Sequence, residues 1–76
     1  MEKPYYVHAV WDEEAQVWVA SSEDMPGLAT ESETTEALVE KLKSLIPELL
    51  ALNGRTDTDT GPVAFELLTR RFELAA

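Results

Sequence analysis

The stretch TTEALVEKLKSLIPELLALNG, residues 34–54, decides the fold because it predicts one long amphipathic helix. Its apolar residues recur three or four positions apart, which places them along one side of a helix. Thr34 is a suitable N-cap residue with Glu36 in the first turn, and Asn53-Gly54 is a stop signal of the left-handed type. The predicted apolar stripe consists of Leu38, Leu42, Leu45, Leu49 and Leu52, flanked by Val39, Ile46 and Leu50.

Pro47 lies inside this predicted helix, on the side opposite the leucines. An interior proline removes one backbone hydrogen bond and usually bends the helix. A bend at this position would curve the helix over the surface that it covers. Pro47 therefore predicts one curved helix rather than two helices.

The residues before the helix predict three strands. Tyr5–Trp11 is rich in aromatic and β-branched residues, and Gln16–Ser21 follows after a short polar loop, so the two segments predict a β-hairpin. Met25-Pro26-Gly27 is a turn signal. Leu28–Ser32 alternates weakly, as a short third strand would.

The residues after the helix are less clearly patterned. Residues 55–62 predict a polar connection. The apolar side chains of Val63–Leu74 fit a helix at some positions and a strand at others, and the strand phase shifts after Leu67 as it would at a bulge. The pattern favours a strand only slightly.

These elements predict a single domain, residues 1–76, because 76 residues cannot fill two separate cores. Strand, strand, strand, helix, strand is the order of a small α+β fold, β-β-β-α-β, with an antiparallel or mixed sheet and one helix packed on one face. The pattern leaves open which face of the hairpin the helix covers.

Both faces of the predicted hairpin are apolar, although one helix covers only one face and a solvated face is normally polar. Scattered apolar residues on a surface are one interpretation. The interpretation that we prefer is contact with another chain, which predicts a homodimer or a higher homo-oligomer. The predicted partner or oligomer interface comprises Tyr6, His8, Trp18 and Phe72.

The residue inventory argues against catalysis and against direct binding of nucleic acid. Fifteen acidic residues face six basic ones, for a net charge of −9, and no Lys/Arg cluster is available to neutralise phosphates. The chain has no cysteine, one histidine, no glycine-rich phosphate loop and no nucleophile elbow. Acidic pairs in turns are the remaining metal candidates, and such runs are usually solvated. We therefore predict no enzyme activity, no cofactor and no metal. The negative charge has two interpretations, solubility alone or attraction to a basic partner.

The chain also lacks the signals for a membrane or for export. No apolar run approaches the roughly 20 residues needed to span a bilayer. Residues 1–4 lack the charged-then-apolar order of a signal peptide. The sequence predicts a cytoplasmic protein without a membrane segment.

Several segments together resemble the HicB-like family. In that family a hairpin leads to a "DLPG" or "DVPG" turn, a short strand, and a helix opened by Thr with Glu and Leu following. The matching segments here span residues 5–54, and a later part of the helix is similar to one small uncharacterised branch of the family. They are Tyr6–Trp11, Val17–Ala20, Asp24-Met25-Pro26-Gly27, Thr34-Thr35-Glu36-Ala37-Leu38 and Ile46-Pro47-Glu48-Leu49-Leu50 with Asn53-Gly54.

The resemblance implies a partial ribonuclease H fold without its catalytic carboxylates, and hence a strand over Val63–Glu73. It also implies an antitoxin role, in which the protein neutralises a small basic RNA-cleaving toxin by covering the active histidine of that toxin. Many relatives carry a C-terminal DNA-binding domain; with Ala76 as the last residue, we expect none here. The alternatives are a stand-alone oligomeric scaffold or small-ligand sensor, and a residual metal-dependent nuclease.

Overall fold

The computed structural model of the protein describes residues 4–54 and 62–76. The polar connection predicted for residues 55–62 lies outside these residues, apart from Pro62. Within them, four strands form one sheet and a helix packs against it, which confirms the predicted α+β class. The elements in chain order are β1 (Tyr5–Asp12), β2 (Val17–Ser21), β3 (Ala29–Ser32), α1 (Thr35–Leu52) and β4 (Phe65–Arg70).

The sheet is mixed, with the strand order β3-β2-β1-β4. β1 and β2 form the predicted antiparallel hairpin with Ala9 opposite Ala20, and β3 runs antiparallel to β2. β4 runs parallel to β1, with Leu67 beside Val7. A parallel neighbour can be reached only by a crossover connection, and α1 lies in that connection. The topology therefore carries the helix across one face of the sheet.

The hairpin loop is closed by its own polar groups. Oδ1 of Asp12 accepts hydrogen bonds from the N–H groups of Glu14 and Ala15, each 3.1 Å long. Gln16 donates its N–H to the Asp12 carbonyl oxygen at 2.7 Å and has a φ of 59°, in the left-handed region. The Asp12 carboxylate at the hairpin tip thus has a structural role.

The predicted caps of α1 are confirmed. Oγ1 of Thr34 accepts a hydrogen bond from the N–H of Ala37 at 3.0 Å, which satisfies one of the free donors of the first turn. Gly54 has a φ of 80° and donates its N–H to the carbonyl oxygen of Ala51 at 3.1 Å. Pro47 is exposed within one uninterrupted helix, as predicted.

The buried line of α1 differs from the predicted stripe at its end. The fully buried helix residues follow a spacing of four, and two residues predicted as flanks, Ile46 and Leu50, belong to it. Leu52 was predicted to belong to the stripe, which is wrong, since it is 83% exposed. It follows Leu50 by two residues, or about 200° around the helix, and so points away from the sheet. The buried residues of α1 are Leu38, Leu42, Ile46 and Leu50.

The helix covers the face of the hairpin to which the odd-numbered β1 residues belong. Val7, Ala9 and Ala20 have no exposed surface and form one core cluster with the buried residues of α1. We call this side the inner face. These contacts show which face of the hairpin the helix covers, a point that the sequence left open. The side chains of the inner face include Tyr5, Val7, Ala9, Trp11, Trp18, Ala20, Phe65 and Leu67.

The Met25-Pro26-Gly27 segment forms a turn that also contributes to the core. Leu28 donates its N–H to the Met25 carbonyl oxygen at 3.2 Å, and Gly27 has a φ of 91°. A proline followed by a residue of positive φ is the pattern of a type II turn. Met25 has no exposed surface, although the sequence indicated only the turn. Its side chain joins the turn to the core cluster.

The last element is a strand, as predicted, but it is shorter than the predicted range Val63–Glu73. β4 pairs with β1 residue by residue, from Tyr5 with Phe65 to Val10 with Arg70. The bulge predicted after Leu67 is therefore wrong. Leu68 changes face because successive strand residues alternate, and residues 71–76 have no regular secondary structure.

Candidate protein-binding face

The side of the sheet away from the helix carries a group of exposed apolar side chains, and we call it the outer face. Tyr6 is 40% exposed, Val10 51%, Val19 40% and Leu68 46%. These values matter because a sheet face in water is normally lined by polar residues. The outer face comprises Tyr6, His8 and Val10 of β1, Val19 and Ser21 of β2, Ala29 and Glu31 of β3, and Glu66, Leu68 and Arg70 of β4.

Strand register brings these residues together. His8 lies between Leu68 of β4 and Ser21 of β2. Val10 likewise lies between Val19 of β2 and Arg70 of β4. Cross-strand neighbours of this kind have Cβ atoms about 5 Å apart. The apolar group is therefore continuous over three strands rather than scattered.

Acidic groups lie beside the apolar group. Glu66 is the neighbour of Tyr6 on β4, and Glu31 is the neighbour of Val19 on β3. Arg70 is the one basic residue of the outer face, and the whole chain has a net charge of −9. This field favours the approach of a basic molecule.

One end of the outer face is held by the residues that follow β2. Ser22 donates its hydroxyl to the Tyr6 carbonyl oxygen at 2.6 Å, and the Asp24 carboxylate accepts the N–H of Tyr6 at 2.9 Å. Asp24 also donates its N–H to the Ser22 hydroxyl at 3.1 Å. Since β2 ends at Ser21, opposite His8, these side chains take the place of the strand residues that would otherwise pair with Tyr6.

A depression of about 280 Å³ lies at this end of the face, lined by Tyr6, His8, Glu23, Asp24 and Leu68. Its walls combine an aromatic ring, an imidazole, an aliphatic side chain and two carboxylates. Such a surface can bury an apolar group of a partner and accept hydrogen bonds from a cationic one.

The four predicted interface residues do not form one surface. Tyr6 and His8 share the outer face. Trp18 lies on the inner face, where its ring meets the Trp11 ring edge-on at 5.3 Å between centroids. Phe72 follows the end of β4 and is 79% exposed.

The predicted interface residues do not include three apolar residues of the outer face, which are Val10, Val19 and Leu68. Alternation along β1 groups Val10 with Tyr6 and His8, and that signal was sufficient to add it. The sequence interpretation explained Leu68 by a bulge after Leu67. A regular strand without a bulge would have placed Leu68 on the outer face. Val19 required the hairpin register, which depends on the conformation of the loop.

Trp11 also has an unusual environment on the inner face. The Arg71 guanidinium lies over its ring at 4.3 Å from the centroid, a cation–π contact. The indole N–H of Trp11 and the hydroxyl of Ser32 are buried without a hydrogen-bond partner. The two atoms belong to different strands, β1 and β3.

Two further properties concern the described residues alone. Among them, no group of three or more His, Asp or Glu side chains is placed to hold a metal ion. The helix in this part of the chain is not apolar enough to cross a membrane.

The chain is similar to known proteins over almost its whole length. A family model described as "Domain of unknown function (DUF1902)" matches residues 4–75. A solved structure, that of a hypothetical protein from the extremely thermophilic bacterium Thermus thermophilus, is 42% identical, with a TM-score of 0.71. The alignment covers 97% of this chain and 99% of that chain. The search of curated proteins gives no match.

Proposed function

We propose that this chain, which belongs to the family described as Domain of unknown function (DUF1902), binds a small basic protein through its outer face and thereby neutralises it. The observation that carries the proposal is the continuous exposed apolar group on the outer face. Contact with a partner would remove that apolar surface from water, which is the main driving force of protein association.

Charge defines the class of partner. Glu23 and Asp24 lie at the rim of the depression, and Glu66 lies on the neighbouring strand. The net charge of −9 attracts cationic molecules at long range and accelerates their encounter with the chain. A basic protein with an apolar contact surface satisfies both properties of the outer face.

The resemblance to HicB-like proteins supports a more specific form of the proposal. In that family the partner is a small basic RNA-cleaving toxin, and binding covers its active histidine. The Asp24-Met25-Pro26-Gly27 turn that carries much of the resemblance holds the end of the outer face through Asp24. The proposed role is therefore that of an antitoxin-type module, which acts by occupying the surface of its partner.

An affinity capture from cells of the source organism tests the proposal with matched baits. The baits are the wild-type chain, Val10→Asp on the outer face, and Leu52→Asp at the exposed end of α1. Both substitutions add one negative charge at an exposed apolar residue, so nonspecific charge effects are equal. Circular dichroism confirms that each bait is folded.

The wild-type chain and Leu52→Asp are expected to retain the same small basic protein, and Val10→Asp is expected to lose it. Expression of the captured protein alone should arrest growth, and co-expression of the wild-type chain should relieve the arrest. Equal capture by all three baits, or capture of no basic protein, would refute the outer face as the binding surface. A captured protein that leaves growth unaffected would refute the antitoxin role.

A further inference from the structure

The two edges of the sheet differ in how they are protected. An edge strand exposes unpaired backbone groups, and proteins usually blunt it by shortness, charge, proline or a bulge. β3 is one edge, with four residues that include Glu31. β4 is the other, with six residues that include Glu66 and Arg70, regular pairing along its length, and no proline or lysine. Within residues 4–54 and 62–76 no strand pairs with the far side of β4, which is the longer of the two edges and which we call the open edge.

One contact shows which residues of β4 direct their backbone N–H and C=O groups at β1. Tyr5 donates its N–H to the Ala64 carbonyl oxygen at 2.9 Å, so the even-numbered residues of β4 direct their backbone groups at β1. Phe65, Leu67 and Thr69 direct their N–H and C=O groups at the open edge. No strand among residues 4–54 and 62–76 pairs with these donors and acceptors, and both kinds are required for a self-complementary pairing.

The segment after β4 continues the alternation of the strand. Arg71 reaches the Trp11 ring on the inner face, as the next odd-numbered residue of β4 would. The following apolar residues, Phe72 and Leu74, are 79% and 85% exposed. Arg71 thus lies on the same side as the odd-numbered residues of β4, and the segment after it carries apolar side chains that the described chain does not cover.

From these features we infer that β4 pairs antiparallel with β4 of a second copy of this chain, about a two-fold axis at Leu68. In this register Leu67 faces Thr69 of the second copy, and both residues direct their backbone groups at the shared edge. Glu66 faces Arg70 of the second copy on the outer side, and the symmetry repeats this ion pair. Phe72 then lies beside Ala64 of the second copy.

Charge favours this pairing register over the registers in which the two-fold axis lies at an adjacent residue. A shift that placed the axis at Glu66 would oppose two like charges directly, which is destabilising. With the axis at Leu67, the free backbone groups of the two copies still face each other. Neither Glu66 nor Arg70 then lies opposite a residue of opposite charge. Only pairing about Leu68 combines the available backbone groups with charge complementarity. The dimer leaves both outer faces open, so it is compatible with the proposed function without depending on it.

A charge-swap experiment tests the inference by sedimentation analysis over a concentration series. The wild-type chain should sediment as a dimer of twice its 8.5 kDa mass. Glu66→Arg and Arg70→Glu should each weaken dimerisation about tenfold, because two attractive cross-strand pairs become repulsive. The double variant Glu66→Arg/Arg70→Glu should restore it. Thr69→Pro should yield the monomer, since it removes an edge N–H without touching the β1 ladder.

The control is Leu52→Asp, which adds one negative charge at the exposed end of α1, away from Glu66 and Arg70, and should stay dimeric. A monomeric wild type at every concentration would overturn the inference. So would a dimer that Thr69→Pro leaves intact in its folded form, or a charge-swapped double variant no better than the single ones. If Thr69→Pro does not fold, the charge-swap series, whose residues are exposed, decides alone.

Discussion

Both faces of this sheet carry apolar side chains, yet within residues 4–54 and 62–76 only one face is covered. On the inner face, Val7 and Ala9 have no exposed surface because α1 lies over them. On the outer face, Val10 and Leu68 are about half exposed, and no described element packs on them. The difference shows that apolar residues at alternate positions identify a strand but do not say what covers it.

The comparison also separates two uses of apolar residues. Those of the inner face stabilise the fold, since burying them removes apolar surface from water. Those of the outer face contribute little to folding, because they stay accessible in the folded chain. Their proposed use is recognition of a partner. The comparison can be tested by substitutions that remove apolar volume or hydrogen bonds on each side.

The largest effect is expected for Leu42→Ala on the inner side. Leu42 has no exposed surface and lies in the middle of the buried line of α1, so the truncation leaves a cavity. We expect a loss of about 2–5 kcal/mol in the free energy of unfolding. Urea denaturation measures it, and the exposed Leu52→Ala is the matched control. Equal losses in the two variants would contradict the assignment of the core.

An intermediate effect is expected for Asp24→Ala, at the end of the outer face. The substitution removes the acceptor of the Tyr6 N–H at the point where β2 has ended. We expect a loss of about 1 kcal/mol, the usual net value of one hydrogen bond. Asp24→Asn keeps an acceptor oxygen and should lose less. A result in which Asn and Ala are equally destabilising would show that the negative charge, not the hydrogen bond, is what matters.

The smallest effect on stability is expected for Val19→Thr on the outer face. The two side chains have similar shapes, and Val19 is already 40% exposed. We expect a change within about 0.5 kcal/mol, as for ordinary surface substitutions. The same denaturation assay measures it, and Ala20→Thr, the neighbouring inner residue, is the contrast. A large loss for Val19→Thr would mean that the outer face is part of the core.

Much of the fold was predictable from local patterns. The cap at Thr34, the stop at Gly54 and the hairpin each depend on a few neighbouring residues, and the structure confirms them. Leu52 was misassigned because it shares the apolar character of the stripe but not its angular position. Met25 was missed because a turn residue gives no periodic signal of burial.

The candidate site was less predictable, because it depends on tertiary pairing. Tyr6 and His8 were predicted together by strand alternation, and the structure places both on the outer face. Trp18 was grouped with them, but the hairpin register places it opposite Trp11 on the other side of the sheet. Leu68 joins the face only through the parallel pairing of β4 with β1, which links residues far apart in the sequence.

The central claim, that the outer face is the partner surface, is tested most directly by methyl NMR of the chain with the captured basic protein. Labelled valine and leucine methyl groups are present on the outer face, in the core, and at exposed positions elsewhere. We predict that the methyl signals of Val10, Val19 and Leu68 shift on binding, while those of Leu42 and Leu52 stay in place. Shifts at Leu52 with none at Val10, Val19 or Leu68 would contradict the claim.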